Sequence, residues 1–114
     1  MKPLEGITVL EFSTMITASF AAMMMAEQGA RVIKVEPMNV GDPMRYIGAN
    51  KGGISSLFAN CNRGKQSIRV NLKEQAGQEL IRELVAEVDI FIHNFRPGVM
   101  DKLNLGSDAL RELN

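Results

Sequence analysis

The sequence predicts an α/β fold in which helices flank a parallel β-sheet. Two short segments, residues 7–12 and 31–36, are apolar and rich in β-branched side chains, as is typical of strands buried in a parallel sheet. A run rich in alanine and methionine, which favours a helix, separates them. A strand, a helix and a strand within about thirty residues predict a right-handed βαβ unit.

The first helix has candidate signals at both of its ends. Ser13, Thr14 and Thr17 offer side-chain oxygens for an N-cap. Gly29 lies where a helix C-terminus favours a left-handed residue. In a βαβ unit, the turn after the first strand and the adjoining helix N-terminus are open to an anionic ligand. We therefore expect the functional edge of the sheet there.

The segment from residue 37 to residue 53 is predicted to be a loop. Its two prolines and four glycines leave no apolar period, and a loop of this length inside a compact domain is more often functional than not. The next segment, residues 54–65, predicts a short helix with Leu57, Phe58 and Cys61 on one face.

The rest of the chain alternates between strands and helices. Residues 66–72 predict a strand with Ile68, Val70 and Leu72 on one side. The clearest helix covers residues 74–88, and its apolar stripe consists of Leu80, Ile81, Leu84, Val85 and Val88. Residues 89–95 predict the next strand, residues 96–106 a turn with a brief helix, and residues 107–114 a helix capped by Ser107.

Length and charge narrow the class of protein. The 114 residues suffice for one domain. Thirteen basic and thirteen acidic side chains cancel, so no global field attracts nucleic acid or an anionic membrane, and no apolar run is long enough to span a bilayer. The single cysteine, Cys61, excludes an internal disulfide and fits a reducing compartment. We expect a cytoplasmic protein without a nucleic-acid or membrane partner.

Two phosphate-binding motifs are incomplete in this sequence. The glycine fingerprint of a nicotinamide-binding fold should lie between Phe12 and Phe20, where the chain has no glycine. Glu36, at the place of the ribose-binding acid, is therefore expected to face solvent. A Walker-type loop ending at Gly64 and Lys65 would need a glycine at Ala59 and a helix afterwards, but a strand-like segment follows.

Polar residues after residue 92 are the strongest candidate site. Phe95 could flank a flat ring, and Arg96 offers the forked donor that suits phosphate. Lys73 and Lys102 could converge on the same sheet edge, because parallel sheets collect ligand contacts at the carboxyl ends of their strands. The alternative is structural: Phe95 fills the core and the cations are surface charges. His93 is the only histidine, so a metal site is not expected.

Five segments, in register along the whole chain, resemble one family. They are KPLEGITVLEFS, GARVIKVEP, GDPMR, NRGKQSIRVNLK and DIFIHNFRPGVMDKLNLG, and they resemble the N-terminal part of family III CoA-transferases. This is the CaiB/BaiF group, which includes formyl-CoA transferase, carnitine CoA-transferase and α-methylacyl-CoA racemase. The resemblance implies a Rossmann-like CoA-binding domain, of which residues 1–114 form the N-terminal part, in a longer, interlocked homodimer.

The resemblance also implies a reaction. In transferases of this family, an aspartate attacks the acyl-CoA thioester, and CoA passes to a carboxylic acid acceptor without any prosthetic group. That aspartate lies downstream of residue 114, so no catalytic residue is expected here; Asp42, Asp89 and Asp101 are not at its position. Racemisation at the acyl α-carbon and a non-catalytic nucleotide-binding or structural module remain alternatives.

The CoA-binding positions that the resemblance implies fall in four segments. Ile16 and Thr17 match the turn after the first strand, near the thioester. The segment along the adenine and ribose matches Val70, Asn71, Leu72 and Lys73. Asn94, Phe95 and Arg96 match the contacts at the end of the next strand. Lys102 matches a position that contacts the CoA phosphates. Pro37 replaces a basic residue of formyl-CoA transferase, Thr14 and Ile16 replace its polar pair beside the thioester, and His93 replaces a common glutamate; these departures argue against oxalate or formate as substrate.

Overall fold

The computed structural model describes all 114 residues and contains a four-stranded parallel sheet. Its strands are β1 (Thr8–Phe12), β2 (Arg31–Glu36), β5 (Gln66–Arg69) and β6 (Ile90–His93). A separate antiparallel pair consists of β3 (Asn50–Lys51) and β4 (Ile54–Ser55). The order in the large sheet is β5-β2-β1-β6, which is the order of the first four strands in doubly wound nucleotide-binding sheets. The predicted α/β class is confirmed.

The chain also forms five α-helices, of which the first three lie between strands and the last two follow β6. They are α1 (Thr17–Glu27), α2 (Ser56–Cys61), α3 (Gln75–Val85), α4 (Val99–Lys102) and α5 (Ser107–Leu113). None of them is long and apolar enough to cross a bilayer. The segment predicted to be one loop, residues 37–53, also contains a short 3₁₀ helix, Pro43–Tyr46, and strand β3. That helix begins after Asp42, whose side chain accepts the N–H of Met44.

The sheet packs helices on both faces, and successive residues of β1 point to opposite faces. Val9 packs with Ala22 of α1 and Val32 of β2 on one side. Leu10 and Phe12 belong to the larger cluster on the other side, which contains Ile33, Val35, Val70, Ile81, Val85, Val88, Met100, Leu105 and Leu110. The predicted stripe of α3 is wrong at Leu80, which is 45% exposed, whereas Ile81 and Val85 are buried.

The two N-cap predictions are also wrong. Helix α1 begins at Thr17 with Ile16 at its N-cap, and no side chain caps it. Helix α5 begins at Ser107 itself, after Gly106, again without a side-chain cap. The hydroxyl of Ser13 instead contacts Glu11 and Ser19. At the other end of α1, Gly29 has φ +104°, and a Cβ there would lie 2.8 Å from that of Lys2, so the predicted left-handed position is confirmed.

Candidate functional site

The carboxyl edge of the sheet contains a topological switch point. From β1 the chain moves to β2 and then β5 on one side, and helix α3 returns it to β6 on the other side of β1. Ligands of open α/β sheets bind outside the carboxyl ends of the strands where the order reverses in this way. The segments that follow β1, β2, β5 and β6 all meet at this edge.

A cleft of about 520 Å³ opens at this edge. It is called the edge cleft here, and it is lined by Phe12, Val35, Glu36, Pro37, Met38, Asn39, Val40, Val70, Asn71, Leu72, Lys73 and Phe95. Five of the ten positions implied by the resemblance therefore line one cavity. Pro37 also lines it, at the place where formyl-CoA transferase has a basic residue. The walls are mostly apolar, and Lys73 is the one cation among them.

The other five implied positions lie outside this lining. Ile16 and Thr17 are exposed at the start of α1. Asn94 is exposed, but its amide is bound to the backbone of Thr14 and to the hydroxyl of Thr17. Arg96 and Lys102 are exposed and line no part of the edge cleft. Of the three cations predicted to converge on this sheet edge, Lys73 lines the edge cleft, and the convergence with Arg96 and Lys102 stays a prediction.

Phe95 combines the two roles that the sequence left as alternatives. Its ring is half-buried and packs against the larger core cluster, and it also lines the edge cleft. The ring centroid of His93 lies 6.0 Å from that of Phe95. No group of three histidine, cysteine, aspartate or glutamate side chains is placed to hold a metal ion.

A buried ion cluster, which the sequence reasoning missed, lies beneath this edge. It consists of Glu11, Lys34, Asp42 and Lys65, whose side chains are at most 2% exposed. The Lys34 ammonium lies 2.8 Å from Glu11 Oε2 and 2.9 Å from Asp42 Oδ2, and the Lys65 ammonium lies 2.6 Å from Glu11 Oε1. Two cations and two anions balance. Burial lowers the pKa of Lys65, and its contact with Glu11 opposes that shift.

The signal for this cluster was present in the sequence. Glu11 and Lys34 are charged residues with apolar neighbours on both sides inside their strands. They are direct partners in the parallel register of β1 and β2, so their side chains emerge side by side on one face. Because an unpaired charge inside a buried sheet is very costly, two opposite charges at matching positions of adjacent strands predict a buried ion pair.

Glu36 does not face solvent, so that prediction is wrong. Its side chain is buried, and its Oε1 and Oε2 each lie 2.7 Å from a guanidinium nitrogen of Arg45. The N–H of Asp42 donates to Oε1 at 2.7 Å, and the hydroxyl of Ser67 donates to Oε2. With its oxygens occupied in this way, Glu36 cannot serve as the ribose-binding acid of a nicotinamide site. Its contacts with Arg45 and Asp42 instead fix the loop after β2, which forms one wall of the edge cleft.

The Glu36 contacts predict a loss of stability in acid. Burial alone would raise the pKa of Glu36, but the hydrogen bonds from Arg45, Ser67 and Asp42 prevail and lower it from 4.5 to about 2. The folded state therefore binds its proton less readily than the unfolded state. We expect stability on the order of 2 kcal/mol, present above about pH 5, to be lost as the pH falls toward 2. Thermal unfolding of the wild type and of Glu36→Gln between pH 7 and pH 2.5 tests this, since an equally steep decline in the variant would contradict it.

Comparison with known proteins agrees with this geometry. Residues 4–114 match the model of the family described as CoA-transferase family III. The chain belongs to CoA-transferase family III. The match covers every segment that surrounds the edge cleft.

Several named relatives have the same sequence pattern. Succinyl-CoA:glutarate CoA-transferase of Homo sapiens is 38% identical over 114 residues, which cover 99% of this chain and 26% of that protein. Acetyl-CoA:oxalate CoA-transferase of Acetobacter aceti is 37% identical over 112 residues, which cover 98% of this chain and 29% of that protein. The crystal structure of a CaiB/BaiF family protein from Brucella suis superposes with a TM-score of 0.91 at 36% identity, over 99% of this chain and 31% of that one. The family III chain thus spans less than a third of these relatives.

Proposed function

We propose that residues 1–114 are the N-terminal, CoA-binding part of a Rossmann-like domain in an acyl-CoA:carboxylate CoA-transferase of family III. The observation that carries this proposal is the edge cleft at the carboxyl ends of β2 and β5. Membership of the family supplies the class of reaction, and the relatives' names favour transfer of CoA over racemisation at the α-carbon.

The chemistry of the edge cleft suits one end of CoA. Its apolar wall, with Val40, Leu72 and Phe95, can cover a flat purine ring. Lys73 stands at the same wall and can pair with a phosphate. The carboxylate of Glu36 also lines the cleft, but Arg45 neutralises it, so it does not repel an anion. Each desolvated, charge-assisted phosphate contact contributes about 1.5–3 kcal/mol.

Within this proposal, the chain binds and orients CoA and does not perform the transfer itself. The nucleophilic aspartate belongs to a part of the protein outside residues 1–114, and it would form an aspartyl intermediate by displacing the CoA thiolate from the acyl-CoA thioester. The second substrate is a carboxylic acid acceptor. We propose a cytoplasmic homodimer, with CoA thioesters as substrates and no prosthetic group.

Calorimetric titration tests the proposal, with the full-length protein that contains this sequence. We expect CoA to bind and NAD not to bind. We expect Lys73→Ala to weaken the binding of CoA at least about tenfold, because one phosphate contact is lost. Arg96→Ala tests whether the phosphates extend beyond the edge cleft, and dephospho-CoA shows whether the 3′-phosphate is bound. Lys2→Ala is the matched control, since Lys2 is exposed and adjoins Gly29 at the opposite edge.

The outcomes separate the candidate functions. Binding of CoA that Lys73→Ala weakens and Lys2→Ala leaves unchanged would support the transferase. A well-folded full-length protein that does not bind CoA would contradict it and would leave a structural module as the better account. Exchange of CoA between an acyl-CoA and a carboxylic acid, as opposed to loss of configuration at the α-carbon, distinguishes the transferase from a racemase.

A further inference from the structure

The side chain of Asn94 is engaged by the chain segment that follows β1. Its Oδ1 accepts the N–H of Thr14 at 3.2 Å, and its Nδ2 donates to the carbonyl oxygen of Thr14 at 2.8 Å. The same nitrogen donates to the hydroxyl of Thr17 at 3.1 Å. The amide therefore pairs with both backbone groups of one residue that lies 80 positions away.

The segment that Asn94 holds is the β1–α1 turn, residues 13–16, and its backbone is unusual. Met15 has φ +64°, a left-handed backbone conformation that few residues other than glycine adopt. Such conformations cost on the order of 1–3 kcal/mol and persist only where the surroundings impose them. Here a second side chain assists: Asp42 of the buried ion cluster accepts the N–H of Met15 at 3.2 Å. The turn is thus fixed from β6 on one side and from the 3₁₀ helix on the other.

The place of these contacts in the fold is informative. Strands β1 and β6 are neighbours, and the strand order reverses between them. Asn94 and Thr14 follow these two strands, so their contact lies at the switch point itself. The turn ends at Ile16, and Thr17 begins α1; both residues are exposed. The edge cleft lies instead outside β2 and β5, and Asn94 does not line it.

We propose that Asn94 is a positioning residue for acyl transfer: its side chain holds the β1–α1 turn, which the resemblance places beside the thioester, and that side chain does not itself bind CoA. This inference rests on the proposed function and revises one part of the prediction from the resemblance, in which Asn94 was a ligand contact. Both of its amide hydrogens are already donated to Thr14 and Thr17, which leaves only one oxygen lone pair for a ligand.

The geometry predicts two different effects, which CoA titration and exchange kinetics together can distinguish. Loss of a nucleotide contact in the edge cleft weakens CoA binding but leaves kcat unchanged, because that contact is made equally in the ground state and the transition state. Loss of the Asn94 contacts frees the turn and misplaces the groups beside the reacting carbon, which lowers kcat while the nucleotide remains bound. For Asn94→Ala we therefore expect a kcat at least tenfold lower, with the Kd for CoA changed less than about twofold.

The conservative variant Asn94→Asp adds a pH dependence of kcat that a purely structural role of Asn94 would not produce. In Asn94→Asp, the ionised carboxylate can accept from the Thr14 N–H but cannot donate to the Thr14 carbonyl oxygen. The protonated acid has one donor and one acceptor and can reproduce the pair that the amide makes with Thr14. The ratio of the kcat of Asn94→Asp to that of the wild type should therefore rise as the pH falls from 8 to 5. Asn60→Ala is the control, because Asn60 is an exposed asparagine of α2 outside the cleft and the turn.

The experiment uses the full-length protein, with CoA titration, exchange kinetics and amide hydrogen exchange at Thr14 and Met15 in parallel. A tenfold loss of kcat in Asn94→Ala, an unchanged Kd and faster exchange at Thr14 would support the positioning role. A raised Kd with unchanged kcat would overturn it in favour of a ligand contact, and unchanged exchange at Thr14 would show that Asn94 does not fix the turn. A wild-type protein that binds no CoA overturns the proposed function, and the role in acyl transfer with it.

Discussion

Replacing Lys34 with methionine is expected to destabilise the sheet by about 3–5 kcal/mol. Methionine has a similar unbranched shape, so the change removes mainly the charge and the donors. Asp42 Oδ2 then loses the Lys34 ammonium, which lies 2.9 Å away, at a side chain that is fully buried. The carbonyl oxygen of Ser13 and the hydroxyl of Ser19 lose a donor as well. Amide hydrogen exchange of β1 and β2 in the full-length protein measures the effect, because it reports the free energy of opening of this sheet.

A control and a compensating change make this prediction specific. Lys51→Met, on the exposed strand β3, should alter stability by no more than about 0.5 kcal/mol. Lys34→Met combined with Asp42→Asn removes one charge of each sign and leaves the Glu11–Lys65 pair intact. We expect the double variant to lose at least about 1 kcal/mol less than the sum of the two single variants. Additive losses would show that the cluster is not a coupled electrostatic unit.

The order of elements followed from the sequence because it depends on local patterns. Apolar, β-branched runs and the period of α3 are properties of neighbouring residues, so the four strands of the large sheet and that helix could be located, whereas the short strands β3 and β4 were not predicted. The predicted strand over residues 66–72 ends at Arg69, and only its first four residues are in the ladder. Beyond it, Val70 donates to Glu36 O, and its side chain enters the core, so burial continues where the strand does not.

The caps could not be predicted because they depend on competition between partners. Ser13 resembles an N-cap residue by type and place, but the buried charges Glu11 and Lys34 engage its oxygen first. Charge-assisted contacts of this kind are stronger than a contact with a backbone amide. Glu36 was misjudged for the same reason: its partners Arg45 and Asp42 lie in the loop after β2, where no periodic pattern fixes the path of the chain.

The candidate site was partly accessible from sequence. The convergence of strand ends at one sheet edge, together with the resemblance, predicted Val70–Lys73 and Phe95 as site residues, and these residues line the edge cleft. It could not assign Met38 and Val40 to the cleft, because their place depends on the Glu36–Arg45 pair that folds the loop. It also could not reveal that the Asn94 amide is directed to Thr14, since a strand-end asparagine is equally suited to a ligand or to the backbone.

Replacing Gly77 with alanine is expected to destabilise the protein, although alanine favours helices over glycine by about 1 kcal/mol. Gly77 lies in the first turn of α3, where a Cβ would overlap the carbonyl oxygen of Asn71 and lie 3.1 Å from Val70 Cγ1. A backbone oxygen cannot move without its chain. We therefore expect a cost of about 2 kcal/mol or more, and, because Val70 and Asn71 line the edge cleft, CoA binding weaker by about tenfold.

Gly106→Ala is the matched control for this effect. A Cβ at Gly106 would overlap only the carboxylate end of Asp101, which can turn away at little cost because that residue is exposed. The backbone there, with φ −69°, accepts any side chain. Thermal unfolding and CoA titration of the two full-length variants should therefore differ. We expect the stability of Gly106→Ala to lie within about 1 kcal/mol of the wild type and its CoA affinity to be unchanged. For Gly77→Ala we expect both the stability and the CoA affinity to be clearly lower than in the wild type. If Gly77→Ala were as stable as the wild type and bound CoA equally well, the close approach of α3 to Asn71 would not be what shapes this wall of the cleft.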